Sequence, residues 1–126
     1  MIVDLNIQKN QNIPNLLYDA CIIGAGAAGI TIANELGASG LKVALIEAGS
    51  TEFTEESQDI YEGKITGDPY LPLDVTRLRY LGGSTNHWGG MCRTFEKIDF
   101  DRGYLGEEYK WPIKFNEIYK YLEKAC

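Results

Sequence analysis

The sequence predicts an α/β fold: one strand–helix–strand unit with an incomplete sheet, then a long irregular loop and a C-terminal helix. Three observations carry this expectation. A short apolar run, residues 18–23, stops abruptly in glycines. A second apolar run, residues 42–47, follows a stretch with helical spacing, so that strand, helix and strand fit into about 30 residues, the usual length of such a unit. At the far end, FNEIYKYLEK puts Phe115, Ile118, Tyr119 and Leu122 on one helical face.

Residues 1–16 are polar, rich in Asn and Gln, and carry Pro14; they are expected to form a flexible leader to a domain spanning residues 17–126. Residues 18–23 suit a strand buried on both faces, as in a parallel sheet, with Cys21 in the core. In residues 27–36, Ile30 and Ala33 continue at helical spacing to Asn34 and Gly37, and Ile32 and Leu36 lie four apart, which suits a helix of about three turns. Gly37 and Gly40 are candidate stops, the second where a left-handed cap is needed. Residues 42–47 form the second strand, joined to the first by a right-handed crossover.

After Gly49 the pattern weakens. Residues 54–61 suit a short acidic helix, with Thr54 as cap and Glu55 and Glu56 in the first turn. Asp68-Pro69 and Leu71-Pro72 mark turns. From Ser50 to about Met91 the irregular stretch exceeds ordinary loop lengths, which points to a functional loop and to packing against further chain. Trp111-Pro112 turns the chain into the last helix, residues 115–124.

A chain of 126 residues suits one small domain. Its net charge of −6 argues against general affinity for nucleic acid or anionic membranes, which reward basic patches. It leaves a phosphate ligand open, because helix amides hold a pyrophosphate without Lys or Arg. The cysteines Cys21, Cys92 and Cys126 are odd in number and lack metal-ligand spacing, so neither a disulfide framework nor a metal site is expected. The start, MIVDLNIQKNQNIPNLL, has no basic region followed by a long apolar one, and the expected location is cytoplasmic.

The first chemical motif is Gly24-Ala25-Gly26-Ala27-Ala28-Gly29, between a strand and a helix, the context that gives a GxGxxG pattern meaning. Gly24 permits the tight turn out of the strand. Gly26 lets backbone approach a pyrophosphate, and Gly29 lets helix and strand pack closely. The helix start adds unpaired amides and roughly half a positive charge. Glu47, with Ala48 beside it, closes the second strand 18 residues after Gly29. An acid there accepts the ribose hydroxyls of an adenosine half and repels a 2′-phosphate. The unit is therefore Rossmann-like and suited to a dinucleotide, whether FAD or NAD.

A second glycine cluster, Arg79-Tyr80-Leu81-Gly82-Gly83-Ser84-Thr85-Asn86-His87-Trp88-Gly89-Gly90, combines glycine with small hydroxyls and an amide. Such a backbone approaches a flat ligand closely, and Ser84, Thr85 and Asn86 add donors and acceptors with little bulk.

Taken in order, YDACIIGAGAAG, LIEAG, RYLGGSTNHWGG and WPIKFNEIYKYLEKA resemble the glucose–methanol–choline oxidoreductase family over most of residues 17–126, least specifically in residues 50–76. The resemblance implies an FAD-binding portion of an enzyme that moves hydride from the CH–OH group of an alcohol or sugar to flavin N5. It implies a loop at Leu81, Gly82, Gly83, Ser84 and Thr85 running along the FAD pyrophosphate, with Arg79, Asn86, His87 and Trp88 among the cofactor contacts. The His-Trp pair is similar to the pyranose-oxidase branch, in which the corresponding His bonds to the flavin 8α-methyl carbon. His87 is thus the candidate for a covalent link or for a non-covalent flavin contact. Many members instead have an apolar residue and then Asn at these two positions, which leaves the substrate class open.

The family's catalytic pair lies near the far C-terminus, so no catalytic residue is expected in this chain. The substrate domain and the rest of the same polypeptide are expected partners. Alone, the chain is expected to be marginally stable, to bind FAD weakly and to turn nothing over. Two other readings stay open: another two-dinucleotide-binding flavoprotein, such as a disulfide-reductase-like or amine-oxidase-like enzyme, and a truncated, non-catalytic nucleotide-binding fragment. Against the former stand the cluster at residues 81–90, Trp111-Pro112 and the lack of a CxxC.

Overall fold

A computed structural model describes residues 2–5 and 17–125. Most of the expected flexible leader, residues 6–16, lies outside the described residues. The chain divides into two compact units, Met1–Gly89 and Gly90–Cys126.

The first unit is organised by β1 (Ala20–Ile23), α1 (Ala27–Ala38) and β2 (Val43–Ile46). β1 and β2 pair in parallel, with Ala20 opposite Val43 and Ile23 opposite Ile46. Asp19 reinforces the start of the ladder: its backbone N–H donates to Lys42 O at 2.8 Å, and its carboxylate accepts the Lys42 amide at 2.8 Å. Gly24 N donates to Ile46 O at 2.7 Å and closes the other end.

α1 runs two residues further than the expected stretch and passes through Gly37 to Ala38. The stop is at Gly40, with φ 85°. Leu41 N donates to Leu36 O at 3.2 Å and Gly40 N to Gly37 O at 2.9 Å, a Schellman closure whose left-handed residue must be glycine-like. Gly37 remains helical because the closing hydrogen bonds form three residues beyond it.

Burial corrects one expectation. Along β1 the residues alternate between half-buried and exposed, and Cys21 and Ile23 face outward, the latter 87% exposed. α1 covers the face that carries Ile22. No described element covers the opposite face, so Cys21 is a surface residue here and not a core one.

The long stretch after β2 is ordered by short pieces. α2 (Glu55–Gln58) begins at Thr54, whose hydroxyl accepts the Ser57 amide at 3.2 Å, and a 3-10 turn, Asp59–Tyr61, extends it. α3 (Leu73–Thr76) starts directly after Pro72, whose carbonyl accepts the amides of Val75 and Thr76. Another 3-10 turn, Gly83–Asn86, forms inside the second glycine cluster. Phe53 and Tyr80 meet edge to face, with centroids 6.1 Å apart.

The second unit is built around Phe100, 8% exposed. Its ring lies within 5.8 Å, centroid to centroid, of Phe95, Trp111 and Phe115. Phe100 ends α4 (Lys97–Phe100), which carries a reciprocal capping box between Glu96 and Asp99. α5 (Phe115–Ala125) follows Trp111-Pro112 and sets Phe115, Ile118 and Leu122 on its half-buried side, with the Tyr119 ring tilted against that of Phe115, centroids 5.5 Å apart. No described helix is long and apolar enough to cross a membrane.

Candidate functional site

The site forms where β1 and β2 end and α1 begins. Gly24, with φ 95°, turns the chain out of β1. Ala25 is 1% exposed, and its amide donates to Glu47 Oε2 at 2.7 Å. Glu47 Oε1 accepts the Gly49 amide at 2.8 Å. Both carboxylate oxygens are thus engaged by backbone N–H groups, a two-point attachment. Its consequence is positional: the carboxylate is held half-buried at the base of the helix tip.

The tip itself is open. Gly26 is the residue before α1, at φ −82° and ψ −174°, and it provides no side-chain cap; no acid sits in the first turn. A β-carbon added to Gly26 would meet nothing within 4 Å. At Gly29 the same addition would lie 1.9 Å from the Gly24 carbonyl oxygen. The two glycines therefore differ in kind. Gly29 is demanded by the protein's own packing, and Gly26 keeps clear a space outside it. Ala27 and Ala28 form the exposed first turn between them.

The second glycine cluster reaches this tip. Gly82 N donates to Ala25 O at 2.8 Å, and Gly26 and Gly82 pair as an isolated parallel bridge. Leu81 N donates to Ser50 O at 2.9 Å. A β-carbon on Gly83 would lie 3.4 Å from Gly26 Cα. Gly82 and Gly83 have φ 92° and 58°, so two left-handed residues in sequence shape the turn. A cleft of about 620 Å³ runs along β2 beside this junction; Ala25, Glu47, Ala48, Gly49 and Leu81 line it, with Tyr18 and residues 2–5.

Not every sequence-chosen residue faces the tip. The Arg79 side chain turns to α2, where its Nη1 donates to Ser57 Oγ at 2.8 Å. Ser84, Thr85 and Asn86 fold onto their own loop. Ser84 Oγ accepts the Leu78 amide, Thr85 Oγ1 donates to Gly82 O, and Asn86 Nδ2 donates to Leu81 O at 2.8 Å. His87 ends the 3-10 turn, its amide donating to Ser84 O at 3.1 Å, and both His87 and Trp88 are exposed. Sequence reasoning missed Gly49, where a β-carbon would lie 2.1 Å from Arg79 O, and Gln58. Gln58 gives no signal in a polar acidic stretch, because its partners are main-chain groups far along the chain.

Two comparisons with known proteins bear on this geometry. Residues 19–106 match the family model described as FAD dependent oxidoreductase (DAO). The chain is also similar to the 6'''-hydroxyparomomycin C oxidase of Streptomyces lividus, with 28% identity over 123 residues, covering 85% of this chain and 22% of that protein. The chain thus spans about a fifth of that relative's length, 22%. No solved structure matches it significantly. A strand–helix–strand unit with an uncapped glycine tip, an acid fixed at its base, and a family match across both glycine clusters lead to one assignment: the chain belongs to the FAD dependent oxidoreductase (DAO) family, whose members bind FAD.

Proposed function

We propose that this chain supplies the FAD-gripping part of an oxidoreductase that takes hydride from a CH–OH group of an alcohol or sugar. The observation that carries the reading is the Glu47 carboxylate tied to the Ala25 amide beneath an uncapped helix tip. A carboxylate has about four lone-pair positions. Glu47 uses two on backbone amides, and the others remain for the paired hydroxyls of an adenosine ribose. The space kept clear by Gly26 fits a pyrophosphate, which the first-turn amides and the dipole of α1 attract.

When bound, FAD supplies the hydride-accepting ring system. The protein's own residues bind and orient it. Gly24, Ala25, Gly26, Ala27, Ala28 and Gly29 form the phosphate loop. Glu47 and Ala48 meet the ribose side. Gly82 and Gly83 lay a side-chain-free backbone over the tip, and Ser84, Asn86, His87 and Trp88 carry the loop onward to the flavin. His87 contacts the flavin without a covalent bond. No catalytic residue is assigned within this chain; those groups, the substrate domain and the substrate contacts belong to other parts of the complete protein.

The finer choice of CH–OH donors rests on two supports. The pattern at residues 81–90 resembles glucose–methanol–choline enzymes, and the Streptomyces relative is named as the oxidase of a hydroxy compound. The test is anaerobic bleaching of the flavin in the complete purified protein by a panel of primary alcohols, sugars, aminoglycosides and simple amines. Bleaching by a hydroxyl compound that lacks an amine is the expected result. Bleaching by amines alone would overturn the donor class, and a colourless protein that takes up no FAD would overturn the whole reading.

A further inference from the structure

α2 carries the buried polar side chain of the described residues, Gln58, 8% exposed. Its Nε2 donates to the carbonyl oxygens of Asp74 and Arg77, and its Oε1 accepts the Arg79 amide at 3.1 Å. One amide thus serves three backbone groups of a single segment. Beside it, Ser57 Oγ donates to Arg79 O at 3.0 Å and accepts from Arg79 Nη1 at 2.8 Å. Gly49 also packs against this segment and leaves no room: a β-carbon there would lie 2.1 Å from the same Arg79 carbonyl. Two residues later Leu81 is tied to Ser50, and Gly82 to Ala25. The main chain at residue 79 is therefore held at both its N–H and its carbonyl just before it reaches the helix tip.

We propose that Gln58 and Ser57 are positioning residues for the cofactor. They set the height of the segment that lays Gly82 and Gly83 over the tip of α1, and Arg79 belongs to this clamp and is not a phosphate ligand. The proposal rests on the FAD reading above. Gln58 is suited to the task because it is a donor to two carbonyls and an acceptor of an amide at once. An apolar side chain of its size leaves three backbone groups without partners, and a carboxylate points one negative oxygen at the two carbonyls that Nε2 serves. The loop can then rise from the tip by a fraction of an ångström without α1 or the sheet unfolding, since none of these bonds belongs to the β1–β2 ladder.

The test uses the complete protein, stripped of flavin and reloaded, with the variants Gln58→Glu, Ser57→Ala and Arg79→Met. Three readouts are compared: the FAD dissociation constant by equilibrium dialysis, the visible circular dichroism of bound flavin, and the far-ultraviolet circular dichroism and thermal midpoint of the apoprotein. Gln58→Glu is expected to weaken FAD binding about tenfold or more and to alter the visible signal, with an apoprotein folded like the parent. Lowering the pH is expected to restore part of the affinity, because a protonated Glu donates to one of the two carbonyls. Arg79→Met and Ser57→Ala are expected to lose less.

Arg79→Met weaker than Gln58→Glu would make Arg79 a direct ligand and overturn the proposal. So would parental FAD binding in Gln58→Glu, or FAD loss that only follows loss of the far-ultraviolet signal in all three variants. A parent protein that holds no FAD defeats the functional reading itself. A parent that holds FAD and ignores Gln58 defeats only this inference.

Discussion

Glu47 Oε2 accepts the Ala25 amide at 2.7 Å, joining the end of the second strand to the glycine loop 22 residues earlier. With the Gly49 amide on Oε1, the carboxylate fastens the glycine loop to the chain leaving β2 before any ligand arrives. The acid that recognises a ribose is thereby preorganised by the same amides that build the loop, which lowers the cost of ordering it on binding.

Glu47→Gln follows directly. The side-chain NH₂ group must face one of the two amides, donor against donor. Hydrogen bonds to charged groups contribute about 1.5–3 kcal/mol, and the half-exposed position favours the low end. We expect about a tenfold loss of FAD affinity in equilibrium dialysis. A small fall in apoprotein thermal midpoint should accompany it, because the bonds to Ala25 and Gly49 exist without ligand.

The glycines should separate folding from binding. Gly26→Ala places its methyl where no protein atom lies within 4 Å, on backbone that any residue adopts. Its thermal midpoint should match the parent, while FAD affinity falls at least tenfold, since the methyl occupies the pyrophosphate's space. Gly29→Ala and Gly49→Ala meet carbonyl oxygens at 1.9 Å and 2.1 Å. Overpacking of this kind costs about 1–3 kcal/mol, so both should melt earlier even without flavin. Equal thermal effects at all three positions would contradict the distinction.

His87 gives a chemical readout. Precipitating the flavin-loaded protein with acid should leave the yellow colour in the supernatant. Colour in the pellet that disappears in His87→Ala would instead mark the covalent 8α link.

The second unit provides a pH test independent of the cofactor. On α5, the hydrogen bond to the Glu123 carboxylate, and then its charge, hold the Tyr119 hydroxyl above the ordinary phenol range. A raised folded-state pKa means that the native state keeps its proton longer than the unfolded chain. The contribution is present below the ordinary pKa of about 10 and fades as pH rises through the folded value. An ultraviolet titration comparing the parent with Glu123→Gln should show one tyrosine ionising at lower pH in the variant. Lys110, raised by its hydrogen bond and charge interaction with Glu107, should lose its small contribution in the same direction at high pH.

The βαβ unit was legible because local patterns fix it: apolar runs, glycine punctuation and a cap at Gly40 each act within a few residues. So was the Thr54 cap, which bonds three residues away. The outward face of Cys21 and Ile23 was not, because an apolar strand reads the same whether or not another layer covers it. The loop at residues 79–83 was visible as a composition, and its attachment was not. What holds it are bonds to Gln58, Ser57, Ser50 and Ala25, spanning about 20 to 57 residues of sequence, and isolated bonds between such distant residues leave no periodicity to read. Arg79 shows the same limit: the resemblance put it among the cofactor contacts, and nothing near it in sequence points to Ser57, to which its Nη1 donates at 2.8 Å.

The measurement that bears most directly on the grip of α1 and Glu47 is a comparison of FAD and FMN binding to the complete apoprotein, in the parent and in Glu47→Gln. FMN lacks the adenosine half that the tip and the acid are built to hold. The expected result is a parent that binds FAD at least tenfold more tightly than FMN, with the difference shrinking in Glu47→Gln. Equal affinity for the two flavins in the parent, or a preference untouched by the substitution, would contradict the account.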